Sequence, residues 1–161
     1  MAGKIKPIPD GFHTVTPHLV VRGASEAIEY YRKAFGAVER FRMHGPDGEL
    51  IMHAELMIGD SIIFIRDEFP NMECESPSAL NGSAVTIHLY VEDADTVFSR
   101  ALSEGGKVTL PLQDMFWGDR FGEIVDPFGH RWSIASHVED VPPEELDRRA
   151  AEAFTSQAEA R

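Results

Sequence analysis

Three histidines and two glutamates stand in apolar, strand-forming stretches of the chain, where their side chains could bind a metal ion or move a proton. His18 and His88 each follow a threonine by two residues, and His53 and Glu55 lie two residues apart in another stretch. Because side chains alternate along a strand, His53 and Glu55 share one face, and Glu123 stands in a further stretch. Imidazole and carboxylate groups are ligands for zinc, iron or nickel, and a histidine beside a carboxylate suits general base catalysis.

The elements that position these residues recur along the chain. Short segments of similar sequence repeat at an offset of 70 residues, and a glycine ends a helical stretch in each half, at Gly36 and Gly106. Matches at a single offset indicate an internal duplication. By this offset His18 aligns with His88, and His53 aligns with Glu123. The matched segments are 16–21 with 86–91 and 59–64 with 129–134.

Each half carries the signals of a β-α-β-β-β unit. Apolar, β-branched runs predict the strands, and an amphipathic stretch after the first run predicts a helix. We expect Ser25 and Asp93 to cap these helices, and Gly36 and Gly105 to end them. The fold class is therefore α+β, with the same unit used twice. The predicted strands are 14–21, 38–43, 49–58 and 61–66 in the first half, and 84–91, 107–112, 122–125 and 131–136 in the second.

The predicted organisation is two modules in tandem, followed by a helix. The first module covers residues 12–67 and the second 84–140, and proline, asparagine and glycine in 68–83 indicate a loop that links them. Pro143 and the acids after it begin a C-terminal helix over 141–161. This helix either forms a solvated tail or docks on a partner subunit.

Composition excludes several classes of partner. The chain of 161 residues has 27 acidic and 15 basic residues, for a formal charge of -12. Such a surface repels phosphate backbones and anionic lipids, so we expect neither nucleic-acid nor membrane binding. Cys74 is the single cysteine and stands between two glutamates, which disfavours a disulfide and a reactive thiolate. No apolar stretch follows Met1 as in a signal peptide, and we expect a cytoplasmic protein.

The duplicated β-α-β-β-β unit resembles the vicinal oxygen chelate superfamily of glyoxalases, bleomycin-resistance proteins and dioxygenases, and in particular its PhnB-like branch. This resemblance extends over about residues 12–140 and implies a half-open, barrel-like sheet around a small-molecule cavity. A fold of this kind hosts many chemistries, so the site has to identify the function. The motifs that carry the resemblance are TPHLVV at 16–21, MHAEL at 52–56, MFWGDRFG at 115–122 and DPFGHRWS at 126–133.

The resemblance also gives the positions at which metal-dependent members hold a divalent ion. These positions correspond to Thr16, Ile63, Thr86 and Ser133, and none of them is a histidine or a carboxylate. Neutral hydroxyl groups are poor ligands for such an ion, and an isoleucine is none. We therefore predict that the usual metal site is missing and that the chain needs no cofactor.

A displaced metal site is the alternative. His18, His53, His88 and Glu55, helped by Glu123, would then hold Zn, Fe, Ni or Mn on the cavity side of the strands. In the metal-free interpretation, the same residues are hydrogen-bonded polar linings of a wet pocket.

Further candidate ligand contacts lie in the second half. Trp117 could stack on a flat ligand, and Arg120 could hold an anionic group. The alternative is an ion pair between Asp119 and Arg120 on the surface. Arg131 either holds a ligand or pairs with Glu123. The predicted ligand-binding residues are His18, His53, Glu55, His88, Tyr90, Trp117, Arg120, Glu123 and Arg131, and the catalytic candidates among them are His53 and Glu55.

The function predicted from the sequence is that of a glyoxalase- or bleomycin-resistance-like protein that binds or transforms a small organic compound without a metal ion. A metal-dependent lyase, isomerase or dioxygenase that uses the displaced site is the alternative. A non-catalytic interaction module is disfavoured, because burying so many polar residues without a use is costly. The sequence leaves open whether the chain is an enzyme.

A homodimer follows from the resemblance, because members of the superfamily commonly complete the cavity across two subunits. Sedimentation at micromolar concentration is expected to give a dimer. A monomer under those conditions would contradict this prediction.

Overall fold

A computed structural model describes residues 5–70 and 72–159 and has an α+β fold. The first four residues, where a signal peptide would begin, and the last two residues of the predicted C-terminal helix lie outside this range. The order of elements in the first half is β1 (His18–Val21), α1 (Ala24–Phe35), β2 (Val38–His44), β3 (Ile51–Ile58), β4 (Ser61–Asp67) and α2 (Pro77–Leu80). The second half has β5 (Thr86–Tyr90), α3 (Ala94–Ser103), β6 (Lys107–Asp114), β7 (Asp119–Val125), β8 (Arg131–His137) and α4 (Pro143–Glu159).

Contacts divide the chain into two compact units. The first unit runs to Ala84 and includes Pro127–His130, and the second comprises Val85–Asp126 and the chain from Arg131 onward. Segment 68–83, expected to be a loop, contains the short helix α2, whose first turn is capped by the Ser76 hydroxyl through the Ala79 amide. The module boundaries expected from the sequence stay a prediction.

Each unit has a four-stranded mixed sheet. The strand order is β1-β4-β3-β2 in the first unit and β5-β8-β7-β6 in the second. The first strand pairs in parallel with the last, and the other neighbours are antiparallel. Neither sheet closes on itself within the described residues, since β1 and β2, and β5 and β6, are edges. The predicted fold class, with two β-α-β-β-β units and a C-terminal helix, is confirmed.

One face of each sheet packs against a helix of its own unit, which is α1 in the first unit and α3 in the second. In the first unit Leu19, Leu56 and Ile65 lie on this face and are at most 2% exposed. In the second unit Trp132 and Ile134 take the same role and are fully buried. The alternation leaves the histidines of β1 and β5 on the opposite face, as the sequence predicts.

Helix α1 begins in a different way from the one predicted. Its cap is Gly23, in the left-handed conformation, and the Ser25 side chain does not cap it. The Asp67 carboxylate, at the end of β4, instead accepts hydrogen bonds from the Gly23 and Ala24 amides at 3.0 and 2.8 Å. It also accepts one from Ile51 in β3 at 2.8 Å, and Asp67 is only 4% exposed. A single buried side chain thus ties the helix to the sheet.

The second unit fastens its helix with two groups. Asp93 caps α3 through the Thr96 amide at 3.0 Å, as predicted. The Ser136 hydroxyl, near the end of β8, accepts from the Ala94 amide at 2.9 Å and donates to the Val91 carbonyl. In both units, therefore, a side chain near the end of the last strand binds the start of the helix that packs on the sheet.

None of the helices in residues 5–70 and 72–159 has the length and apolar character needed to cross a membrane.

Replacing the buried carboxylate in Asp67→Ala should destabilise the protein by roughly 2–4 kcal/mol, because three amides lose their acceptor away from water. Urea unfolding measures this change. The control is Asp60→Ala, which removes an exposed carboxylate from the β3–β4 turn. A loss below about 0.5 kcal/mol for Asp67→Ala, the level of ordinary surface changes, would contradict this account.

Candidate functional site

The free face of the first sheet gathers the histidines and the glutamate predicted there. Parallel pairing sets His18 beside Phe64, and antiparallel pairing sets Glu55 on the other side of Phe64. Neighbouring residues in a ladder point to the same side of a sheet. Arg66, two residues after Phe64, and His53, two before Glu55, share this side. We call His18, His53, Glu55, Phe64 and Arg66 the His18 cluster.

The Phe64 ring and the two imidazoles of the His18 cluster form a triangle of rings. The Phe64 centroid is 5.7 Å from that of His18 and 4.6 Å from that of His53, both with steep interplanar angles. The two imidazole centroids are 6.2 Å apart. Phe41 of β2 and Phe12 add further rings, with centroids 6.2 Å from His53 and 5.7 Å from Phe64 respectively. The face is therefore an aromatic platform edged by imidazoles.

The charges on this face favour a neutral His18. Partial burial, the positive Arg66 and then His53 lower the pKa of His18 below its usual value. The His53 Nε2 atom lies 3.7 Å from Glu55 Oε1, close enough for electrostatic attraction but longer than a hydrogen bond. One imidazole is thus held neutral near pH 7, and a carboxylate stands beside the other.

The equivalent face of the second unit carries a different set of groups. His88 Nδ1 shares a 2.6 Å hydrogen bond with the hydroxyl of Ser133, which is 3% exposed. The His88 ring contacts the exposed Tyr90 edge-on, with centroids 4.5 Å apart, and stacks on Phe121 at 5.9 Å. Because Ser133 already occupies Nδ1, only the other ring nitrogen of His88 is available to a ligand.

Asp119 is the buried anchor of this second face, and it is only 4% exposed. Its Oδ2 accepts from the Tyr90 hydroxyl at 2.9 Å and from Trp117 Nε1 at 3.1 Å. Its Oδ1 lies 2.8 Å from His137 Nδ1, and His137 Nε2 is 2.8 Å from Asp140. This one carboxylate therefore orients the tryptophan and the tyrosine predicted as ligand contacts.

The two charge types in this network stabilise each other. Burial alone would raise the pKa of Asp119, but hydrogen bonds from His137, Tyr90 and Trp117 outweigh burial and hold that pKa below its usual value. The hydrogen bond to Asp140, and then the one to Asp119, raise the pKa of His137. His137 is thus a structural bridge between two carboxylates.

A glycine makes the turn that presents Trp117 and Asp119. Gly118 has a φ of +99°, which side chains rarely allow, and a Cβ there would lie 2.1 Å from the Glu139 carbonyl oxygen. The Gly118 carbonyl accepts from the Val138 and Glu139 amides. The turn is therefore pinned against the segment that leads to α4.

Arg120 is not brought to this face. It lies on the helix side of β7, where its guanidinium bonds to Asp95 of α3 at 2.7 Å and to Asp114 at 3.1 Å. The alternative of an ion pair between Asp119 and Arg120 is therefore wrong, since neighbouring residues in a strand point to opposite faces. Arg131 pairs with Glu123 at 3.4 Å, which confirms the pairing alternative of the sequence analysis.

The register of the strands corrects two positions in the internal alignment. Phe64 and Ser133 are equivalent, because they pair with His18 and His88 respectively. Ile63, the residue matched to Ser133 at the sequence level, points to the helix side instead. Glu55 and Glu123 are also equivalent, since they pair with Phe64 and Ser133, so the predicted match of His53 with Glu123 is wrong.

The residues present do not fit the divalent ion that the resemblance implies. With the corrected register the four positions hold Thr16, Phe64, Thr86 and Ser133, and none supplies an imidazole or carboxylate. In residues 5–70 and 72–159, no three histidine, cysteine, aspartate or glutamate side chains come together in a metal-binding arrangement. No step of chemistry is therefore derived through a metal ion.

Sequence reasoning missed the role of Phe64 and the anchoring role of Asp119. Alternation in the run 61–66 puts Phe64 on the same side as Arg66, and this signal was available once the strand was recognised. The convergence of Tyr90, Trp117 and His137 on Asp119 joins residues up to 47 positions apart, and no local pattern announces it.

Comparisons with known proteins agree with this fold. Uncharacterized protein Mb0911c of Mycobacterium bovis is 47% identical over 135 residues, which is 82% of this chain and 88% of that protein. The solved structure of protein PA1353 from Pseudomonas aeruginosa has 25% identity and a TM-score of 0.65, over 79% of this chain and 99% of that one. A PhnB protein from Bacillus cereus has 20% identity and a TM-score of 0.61, over 77% and 99% of the two chains.

A family profile matches most of both units, over residues 11–134. The match extends from the residues before β1 into β8 and so includes the strands that carry the His18 cluster and its equivalent. The superfamily inferred from the sequence motifs is thereby confirmed. The chain belongs to the Glyoxalase/Bleomycin resistance protein/Dioxygenase superfamily.

Proposed function

We propose that this protein binds a small aromatic or amphipathic compound on the His18 cluster, and that a histidine rather than a metal ion moves the proton in its chemistry. The observation that carries the proposal is the packing of the Phe64 ring against two imidazoles, with centroid distances of 5.7 Å to His18 and 4.6 Å to His53. Binding is the first part of this function, and proton transfer is the second.

The binding part rests on exposed apolar and aromatic surface. Phe41 and Met43 of β2 are 49% and 43% exposed, although both pair with residues of the His18 cluster. Aromatic side chains left in water beside polar groups favour a ligand that has a ring and a few polar atoms. The homodimer expected from the sequence stays a prediction.

The proton-transfer part rests on His53 and Glu55. A carboxylate next to an imidazole stabilises the imidazolium that forms when the ring takes a proton. Glu55 lies toward Nε2 of His53, so a tautomer with its proton on Nε2 leaves the lone pair of Nδ1 for the ligand. The proton would pass from an acidic C–H or O–H of the ligand to Nδ1. His18, kept neutral, adds a second hydrogen-bonding group beside the Phe64 ring.

The metal-dependent alternative, in which His18, His53, His88 and Glu55 hold the ion, draws no support from the described residues, since no three histidine, cysteine, aspartate or glutamate side chains come together there in a metal-binding arrangement. The free face of the second unit is less suited to bind the ligand. Its polar groups on Tyr90, Trp117 and Ser133 are already engaged in hydrogen bonds within that unit.

A thermal-shift screen of small aromatic compounds tests the binding part. A compound present at 100 times its Kd stabilises the folded chain by about 2.7 kcal/mol, which corresponds to a rise in Tm of roughly 5–10 °C. Phe64→Leu keeps an apolar side chain but removes the ring, so binding should weaken about tenfold. Phe154→Leu is the matched control, since Phe154 is 66% exposed on α4. Equal binding by the wild type and Phe64→Leu would refute the assignment.

Histidine NMR titration tests the charge states, with His18→Gln and His137→Gln used for assignment. His18 should titrate below 6.5 and His137 above it. His18 binds a proton more readily in the unfolded chain than in the folded one. Its protonation therefore lowers the free energy of unfolding as pH falls through about 6.5. His137 acts in the opposite sense: its contribution is present below 6.5 and is lost as pH rises through its folded pKa. A His18 that titrates at or above 6.5 would remove the neutral imidazole from the account.

A further inference from the structure

Arg66 differs from the other arginines of the described residues in one respect, a buried Nε atom without a hydrogen-bond partner. Its side chain is half-buried in β4. Among the described residues, no hydrogen bond or ion pair engages this guanidinium. Of the nine other arginines in the described residues, two, Arg40 and Arg100, are exposed and have no ion pair. The other seven pair with carboxylates, namely Arg22, Arg32, Arg42, Arg120, Arg131, Arg148 and Arg149.

A buried donor without a partner is unusual, because most buried polar groups are hydrogen-bonded, and this chain has 27 acidic residues that could supply an acceptor. Glu55 is the carboxylate of the His18 cluster, and its ion-pair contact is with His53. A buried donor without an acceptor lowers stability, and a half-buried cation without an anion lowers it further. Such an arrangement persists where a ligand supplies the missing acceptor.

We propose that Arg66 holds the anionic group of the ligand, so that the compound bound on the His18 cluster is an aromatic or amphipathic organic anion. The inference rests on the proposed function and adds the chemical class of the ligand. A guanidinium presents its N–H donors in a planar fork, and this fork matches the two oxygens of a carboxylate or the oxygens of a phosphonate.

The position of Arg66 on the strand agrees with this class of ligand. Arg66 and Phe64 are two residues apart on one face, so their Cα atoms are separated by about 7 Å. A compound with a ring on Phe64 and an acidic group two or three bonds from that ring reaches the guanidinium. Val20, the partner of Arg66 across β1, is apolar and offers no competing anion.

The probes for the test are 3-phenylpropionate and its neutral counterpart 3-phenylpropanamide, which have the same ring and chain length. Calorimetry on the wild-type protein should give at least tenfold tighter binding of the carboxylate. Arg66→Met should abolish this preference and leave the affinity for the amide unchanged. Arg66→Lys keeps the charge but lacks the fork, so it should restore only part of the preference.

Arg32→Met is the matched control, because Arg32 pairs with Glu29 on the exposed side of α1 in the same unit. It should bind both probes as the wild type does. The Tm of ligand-free Arg66→Met should equal or exceed that of the wild type, since an unpaired charge is removed. A lower Tm would indicate a structural role and would contradict the proposal.

The failures of the two proposals are distinguishable. Equal affinity of the wild type for the carboxylate and the amide, or an equal loss of both in Arg66→Met, would overturn the role of Arg66 and leave ring binding on Phe64 intact. Binding of neither probe at millimolar concentration would overturn the proposed function and the role of Arg66 together.

Discussion

Parallel pairing between the first and the last strand of each unit is the interaction on which the rest of the structure depends. In the first unit it sets His18 beside Phe64 and Val20 beside Arg66, although 46 residues separate the members of each pair. A slip of one residue would move Phe64 and Arg66 to the helix side and bring isoleucines to the free face. The buried Asp67 carboxylate at the end of β4 also binds the start of α1 and an amide of β3, so the last strand, the helix and the adjacent strand hold one another in register.

Much of this fold could be predicted from the sequence, because local patterns within each unit indicate its strands and its helix. Alternating apolar residues, the glycine at the end of α1 and the aspartate before α3 all correspond to observed elements. The repeat at an offset of 70 correctly aligns β1 with β5. The last strands, however, match at an offset of 69, since Phe64 and Ser133 take equivalent places. The connection between the second and third strands is shorter in the second unit, 115–118 against 45–50, and this lowers the offset to 68 at Glu55 and Glu123. The connection to the last strand is longer there, 126–130 against 59–60, and this raises the offset to 69.

The site was less predictable than the fold, because its contacts join distant strands. Alternation placed His18, His53 and Glu55 correctly on one face. It could not say that Arg120 would be drawn to Asp95 on α3, or that Asp119 would be buried beneath Tyr90 and Trp117. The partner of each of these side chains is a residue of another element. Which residue comes within reach depends on the strand register, and a local sequence pattern does not show the register. The two equivalent faces consequently differ: one has an unpaired arginine and exposed rings, and the other satisfies its polar groups internally.

The central claim is that ligand chemistry in this protein belongs to the His18 cluster of the first unit rather than to the superfamily metal positions or to the second face. Intermolecular nuclear Overhauser effects between bound 3-phenylpropionate and the protein test it most directly. The account predicts cross-peaks from the ligand ring to the rings of Phe64 and His53, together with a shifted Arg66 Nε–H resonance. Cross-peaks to Trp117 and Phe121, with Arg66 unchanged, would contradict it and assign binding to the second unit.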